Sequence, residues 1–135
     1  MLDCLIVGDS IAVGVSQVRP ECTSIAKSGI NSRDWNSKNM HRLQPARTLI
    51  ISLGANDAGI NTEANIRSLR TNAQADRVFW LLPSRRLKPR QVEAVQQVAK
   101  EFGDTVIPRP EINISADGVH PTYHGYKLLA EQTKQ

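Results

Sequence analysis

Three short stretches of this 135-residue chain carry the side chains of a nucleophile, a base and polarising donors: Gly8-Asp9-Ser10, Gly54-Ala55-Asn56-Asp57 and Asp117-Gly118-Val119-His120-Pro121. A serine hydroxyl is a poor nucleophile near neutral pH until an imidazole takes its proton during attack, and His120 is suited to that task. Asp117, three residues earlier, can double back to accept the proton on the other ring nitrogen, fixing the tautomer and stabilising the imidazolium. The tetrahedral oxyanion then needs preorganised donors, and Asn56 offers an uncharged N–H₂ that neither repels a substrate nor quenches a base. Each stretch alone also reads as ordinary punctuation: a turn or helix cap, a loop, a histidine ahead of a proline-started helix. Jointly they fill every role of acyl transfer, which favours chemistry over punctuation.

Such side chains need a scaffold that brings distant residues to one edge. Five apolar runs, at 4–7, 22–25, 48–53, 78–82 and 105–107, each precede a loop-like cluster and then a more helical segment. That alternation predicts βαβ units and a parallel sheet covered on both faces. Helices are expected over 11–18, within 31–43, and over 63–75, 89–102 and 122–133. In the fourth, Pro89 suits a first turn, Val92, Val95, Val98, Ala99 and Phe102 repeat at helical spacing, and Gly103 ends it. Ligands of such sheets bind outside the carboxyl ends of the strands, where all three stretches fall. Ser10 would open the first helix, beside backbone N–H groups that have no helical partner.

In order and over most of its length, from Gly8 to His120, the chain resembles the SGNH (GDSL) hydrolase family, whose blocks are a Gly-Asp-Ser, a glycine, a Gly-x-Asn-Asp and an Asp-x-x-His. The resemblance implies a flavodoxin-like three-layer α/β/α sandwich with a five-stranded parallel sheet in the order 2-1-3-4-5, and a serine esterase activity. Carried across, it implies Ser10 as nucleophile, His120 as base and Asp117 as its orienting carboxylate. It further implies an oxyanion hole from the backbone N–H groups of Ser10 and Gly29 and the side chain of Asn56. Gly29, within Ala26-Lys27-Ser28-Gly29-Ile30-Asn31, is the least specific match, since loop glycines serve close approach and positive φ alike. Asp9 and Asp57 read as structural groups that hydrogen-bond across neighbouring loops.

Composition narrows the alternatives. The length allows one domain, residues 1–135, and a net charge of +4 without a nucleic-acid motif argues against a nucleic-acid partner. No apolar run is long enough to cross a membrane, and the chain enters its first strand with no signal-like segment, so a cytoplasmic or otherwise soluble protein is expected. Cys4 and Cys22 lack metal-ligand spacing and are expected as inert core thiols; a bridge would require their strands to be neighbours. His124 lies one helical turn from His120 without a third ligand, and His41 sits in a polar segment, so neither a metal nor another cofactor is expected. Trp35 is open between walling an acyl pocket and packing in the core. The run Arg85-Arg86-Leu87-Lys88-Pro89-Arg90 is open between a substrate-facing rim and a solvated surface.

Few aromatics and short loops favour a small ester, short-chain or O-acetyl, carried on a small molecule or a saccharide. A lysophospholipase or thioesterase with a Leu/Ile-lined groove is the enzymatic alternative. A non-catalytic module that grips a glycan or protein is the alternative from another class.

Overall fold

Burying the apolar runs side by side produces a parallel sheet. The computed structural model describes residues 1–109 and 120–134, so Asp117 lies outside the described residues. Strands β1 (Leu2–Gly8), β2 (Thr23–Ala26), β3 (Ala46–Ser52), β4 (Ala75–Leu81) and β5 (Thr105–Ile107) lie in the order β2-β1-β3-β4-β5, every pairing parallel. Helices α1 (Ser10–Val18), α2 (Ser32–Asn39), α3 (Thr62–Asn72), α4 (Pro89–Phe102) and α5 (Tyr123–Gln132) connect and follow them. The α/β architecture and strand order are those expected. Boundaries shift by up to three residues; the helix expected to reach residue 75 stops at Asn72, because Ala75 pairs with Ala46 and begins β4.

Alternation along the strands divides the core in two. Leu5 and Val7 of β1 join Leu49 and Ile51 of β3 against Trp35 of α2, Ile66 and Leu69 of α3 and the valines of α4. Cys4 and Ile6 face the other way, with Ile50, onto Ile11, Ala12 and Val15 of α1 and Leu129 and Ala130 of α5. Helix α4 keeps its expected ends, with Pro89 in the first turn and Gly103 left-handed at φ 70°. Arg70 of α3 meets Asp104 at 2.7 Å, and the Trp80 indole donates to the same carboxylate, tying α3 to the start of β5.

The expectation of free thiols is overturned, because Cys4 and Cys22 form a disulfide. Leu5 pairs with Thr23, so the preceding residues of β1 and the chain entering β2 are cross-strand neighbours, with Cα atoms 4.9 Å apart. Both side chains sit in the α1/α5 half of the core. The bond closes a loop that contains the Gly8–Ser10 turn and all of α1, and such bonds persist chiefly in oxidising compartments.

Two close approaches position the helices beside β1. Gly8 has φ 138°, and a Cβ there would lie 1.8 Å from the Ser52 carbonyl oxygen, so only glycine lets β1 turn this close to the end of β3. Gly14 lets α1 meet α5: a Cβ on it would fall 2.2 Å from the Tyr126 ring. Further along, Arg19 donates to Thr133 Oγ1 at 2.8 Å, holding the C-terminal ends of the two helices together.

At the turn between β1 and α1, Asp9 is 1% exposed and caps α1 by accepting the Ile11 N–H at 3.1 Å. The same Oδ1 accepts the Ser52 hydroxyl at 2.9 Å, and the Asp9 N–H donates to the Ser52 carbonyl. Burial pushes the Asp9 carboxyl up from 3.8 to about 6, opposed in part by the Ser52 and Ile11 hydrogen bonds. The folded chain therefore holds this proton more tightly than the unfolded one. The stabilisation it brings is complete below about pH 3.8 and is lost as pH rises through about 6.

Asp9→Asn, which keeps shape and cap without titrating, should thus gain stability over wild type between pH 4 and pH 7.5 by roughly 3 kcal/mol at most. Urea unfolding of both proteins at the two pH values checks this, and an unchanged difference between them would refute the shifted carboxyl. Gly14→Val should cost about 1–3 kcal/mol by forcing α1 off the Tyr126 ring. Tyr126→Ala in the same chain should recover part of that loss, a non-additivity that a double-mutant cycle measures directly.

Candidate active site

The site begins where β1, the strand between β2 and β3, runs out. Gly8 turns the chain, Asp9 caps α1, and Ser10 becomes the first helical residue, half-buried at the carboxyl edge of the sheet. Its backbone N–H lies in the first turn, where a helix supplies no partner four residues back. His120 enters from the far end of the chain, just ahead of Pro121 and of Thr122, which caps α5 by accepting the Gly125 N–H at 3.2 Å. Because α1 and α5 pack together, the residue that opens one helix and the residue that precedes the other meet. Ser10 Oγ lies 2.8 Å from His120 Nε2 across 110 positions of sequence. With the neutral ring protonated at Nδ1, Nε2 accepts the serine hydrogen, the arrangement needed for proton removal during attack.

The neighbouring loops are tied to this edge by hydrogen bonds. Asn56, exposed in the loop after β3, donates from Nδ2 to the Ile30 carbonyl at 3.1 Å and so lies against the loop that holds Gly29. An amide nitrogen carries two hydrogens, and this contact uses one. Gly29 is exposed with φ 83°, and a Cβ on it would meet nothing within 4 Å, so its conformation rather than crowding calls for glycine. Asp57, fully buried, accepts from the Ser32 N–H at 2.8 Å, from the Ser32 hydroxyl and from the Thr62 hydroxyl at 2.7 Å. It thereby clamps the starts of α2 and α3 to the loop that carries Asn56. The structural reading of Asp9 and Asp57 matches these contacts.

Other residues singled out from the sequence lie elsewhere. Trp35 is wholly buried, its indole donating to the Ile25 carbonyl at 2.9 Å, so it packs the core and does not wall an acyl pocket. Arg85 and Arg86 are exposed in the loop between β4 and α4, at the same edge of the sheet as Ser10. His41 and His124 are exposed, and no group of three metal-ligating side chains occurs among the described residues. Asp117 lies outside them. Ser52 went unremarked in the sequence although it orients Asp9 directly; a hydroxyl closing an apolar strand run was the signal.

No family model matches the chain, and no curated protein matches it. Solved structures do. A candidate GDSL-like lipase from Bacteroides uniformis superposes with a TM-score of 0.70 at 12% identity, over 97% of this chain and 93% of that one. The C-terminal catalytic domain of peptidoglycan O-acetyltransferase A from Streptococcus pneumoniae gives 0.64 at 17% identity, over 96% and 89%. An aryl esterase from M. smegmatis gives 0.60 at 15% identity, over 99% of both chains. The chain therefore has the fold shared with these three structures, a GDSL-like lipase, an O-acetyltransferase domain and an aryl esterase, over nearly its whole length.

Proposed function

We propose that this protein is a cofactor-free serine esterase that cleaves a short-chain or O-acetyl ester, on a small molecule or a saccharide, through an acyl-enzyme on Ser10. The observation that carries the reading is the 2.8 Å contact between Ser10 Oγ and His120 Nε2 at the carboxyl edge of the sheet. The likeness to an aryl esterase and an O-acetyltransferase supports it, since both names describe acyl chemistry.

In the first step Ser10 Oγ bonds to the ester carbonyl carbon while His120 Nε2 takes the hydroxyl proton, and the carbonyl electron pair moves onto oxygen. The Ser10 and Gly29 N–H groups and the second hydrogen of Asn56 Nδ2 are the donors assigned to that oxyanion. Collapse breaks the bond to the alcohol, which leaves with the proton from His120. Water, deprotonated by His120, then releases the acid and restores Ser10. Asp117 is assigned to hold His120 in the tautomer that leaves Nε2 unprotonated. At this edge the large exposed apolar side chains among the described residues are Leu87 and Tyr123, little surface for a long acyl chain, which supports a short one.

A fluorophosphonate should label Ser10 alone, as read by peptide mass spectrometry, and Ser10→Ala should take no label. A folded protein that stays unlabelled would leave the glycan- or protein-binding alternative. Among p-nitrophenyl esters, acetate should exceed octanoate in kcat/KM; the reverse order would favour the lipid-hydrolase alternative. Asn56→Ala should lower kcat by about 10²–10³ with KM little changed, since its N–H is needed chiefly in the transition state. A variant with wild-type kcat would remove Asn56 from the oxyanion hole.

A further inference from the structure

The charged groups around the carboxyl edge of the sheet are unevenly distributed. In the described loops that follow the strands, the carboxylates are Asp9 and Asp57, both buried and occupied by hydrogen bonds. The exposed charges there are Lys27, Arg85 and Arg86, with Lys88 and Arg109 half-buried. Asp34 and Glu63, in the first turns of the next helices, are paired with Arg33 and Arg67. Carboxylates gather instead at the opposite edge, at Asp3, Glu21 and Asp76.

Most arginines elsewhere are engaged, Arg42 and Arg77 by donating to Asn39 Oδ1 and Thr48 Oγ1. Arg19, Arg33, Arg47, Arg67 and Arg70 each meet a carboxylate. Arg85 and Arg86 have no such partner among the described residues, and their loop leads straight into α4. Their turn is held by Ser84, which accepts from the Leu87 and Lys88 N–H groups, and not by the arginine side chains. Each of α1, α2, α3 and α5 has a side-chain cap at its start, whereas α4, which begins at Pro89, is preceded by Lys88 with no side-chain cap and has no acidic residue in its first turn. A local rule broken without structural compensation, on the rim that holds the nucleophile, points to function. Arg90 is a turn away from Glu93, which offsets it, so the excess positive charge of the loop between β4 and α4 comes from Arg85, Arg86 and Lys88.

Resting on the esterase reading, we infer that the enzyme selects esters bearing negative charge on the alcohol side, and that Arg85 and Arg86 are the residues that select them. A cationic loop with no carboxylate partner among the described residues raises the local concentration of such a substrate and leaves a neutral ester unaffected.

The test compares 4-acetoxybenzoate with its uncharged methyl ester, which share the acetyl group and the ring. The quantity read is the ratio of their kcat/KM values. Arg85→Gln/Arg86→Gln should lower this ratio about fourfold at low ionic strength, and the difference from wild type should vanish in about 0.5 M salt. Arg42→Gln/Arg47→Gln removes the same charge from exposed sites on the segment that leads into the opposite edge, and should leave the ratio near wild type. An unmoved ratio in the Arg85/Arg86 variant, or an equal fall in the Arg42/Arg47 variant, overturns the inference while leaving the esterase reading intact. Hydrolysis of neither ester by wild type overturns both.

Discussion

The hydroxyl of Ser10 and the imidazole of His120 must meet within one hydrogen-bond length although most of the chain separates them, and the packing of α1 against α5 is what makes this possible. Each helix starts at the carboxyl edge of the sheet, one with Ser10 in its first turn and the other just after His120. Their separation is set by the missing side chain at Gly14 and by the hydrogen bond from Arg19 to Thr133. A close-packed interface has few alternative arrangements, so the relative position of Ser10 and His120 follows the packing of the core. The Cys4–Cys22 bond constrains the same unit, closing the chain around α1.

Two buried carboxylates show how differently one residue type can be used. Asp57 receives three hydrogen bonds from Ser32 and Thr62 and turns a costly burial into a joint between three loops. Asp9 receives fewer, and the desolvation left uncompensated appears as a carboxyl pushed up to about 6. Its place is nonetheless dictated by the turn: it caps the helix that presents Ser10 and fastens that turn to Ser52 on the neighbouring strand. The turn that presents Ser10 is fixed at a cost in stability that varies with pH.

Charge follows a similar division of labour. Pairs such as Arg70 with Asp104 join elements, and Trp80 donating to the same carboxylate extends that joint into the sheet. Arg85 and Arg86, in the loop after β4, join no carboxylate among the described residues, and they stand at the same edge of the sheet as Ser10. In a parallel sheet this edge is where loops are free to vary, because the strands that support them already satisfy the backbone.

How much of this was legible in the residues depends on whether the cause is local or distant. Apolar runs alternating with helical spacing are local patterns, and they suffice for the sheet, its order by resemblance, and the limits of α4, where proline and glycine stand at the two ends. The residue types at Ser10, Asn56 and His120 are equally readable, because acyl transfer demands those groups. The pairing of Cys4 with Cys22 was not, since the adjacency of β1 and β2 implied by the resemblance leaves open the register that places both side chains on one face. Nor was the fate of Trp35, whose polar neighbours in the sequence conceal that α2 turns this one ring onto the sheet. The sequence by itself determined which elements form and which chemistry is available, because periodicity and functional groups belong to single segments. Only the tertiary structure decided which thiols, rings and carboxylates meet, because contact between segments far apart in the chain is set by packing that no single segment encodes.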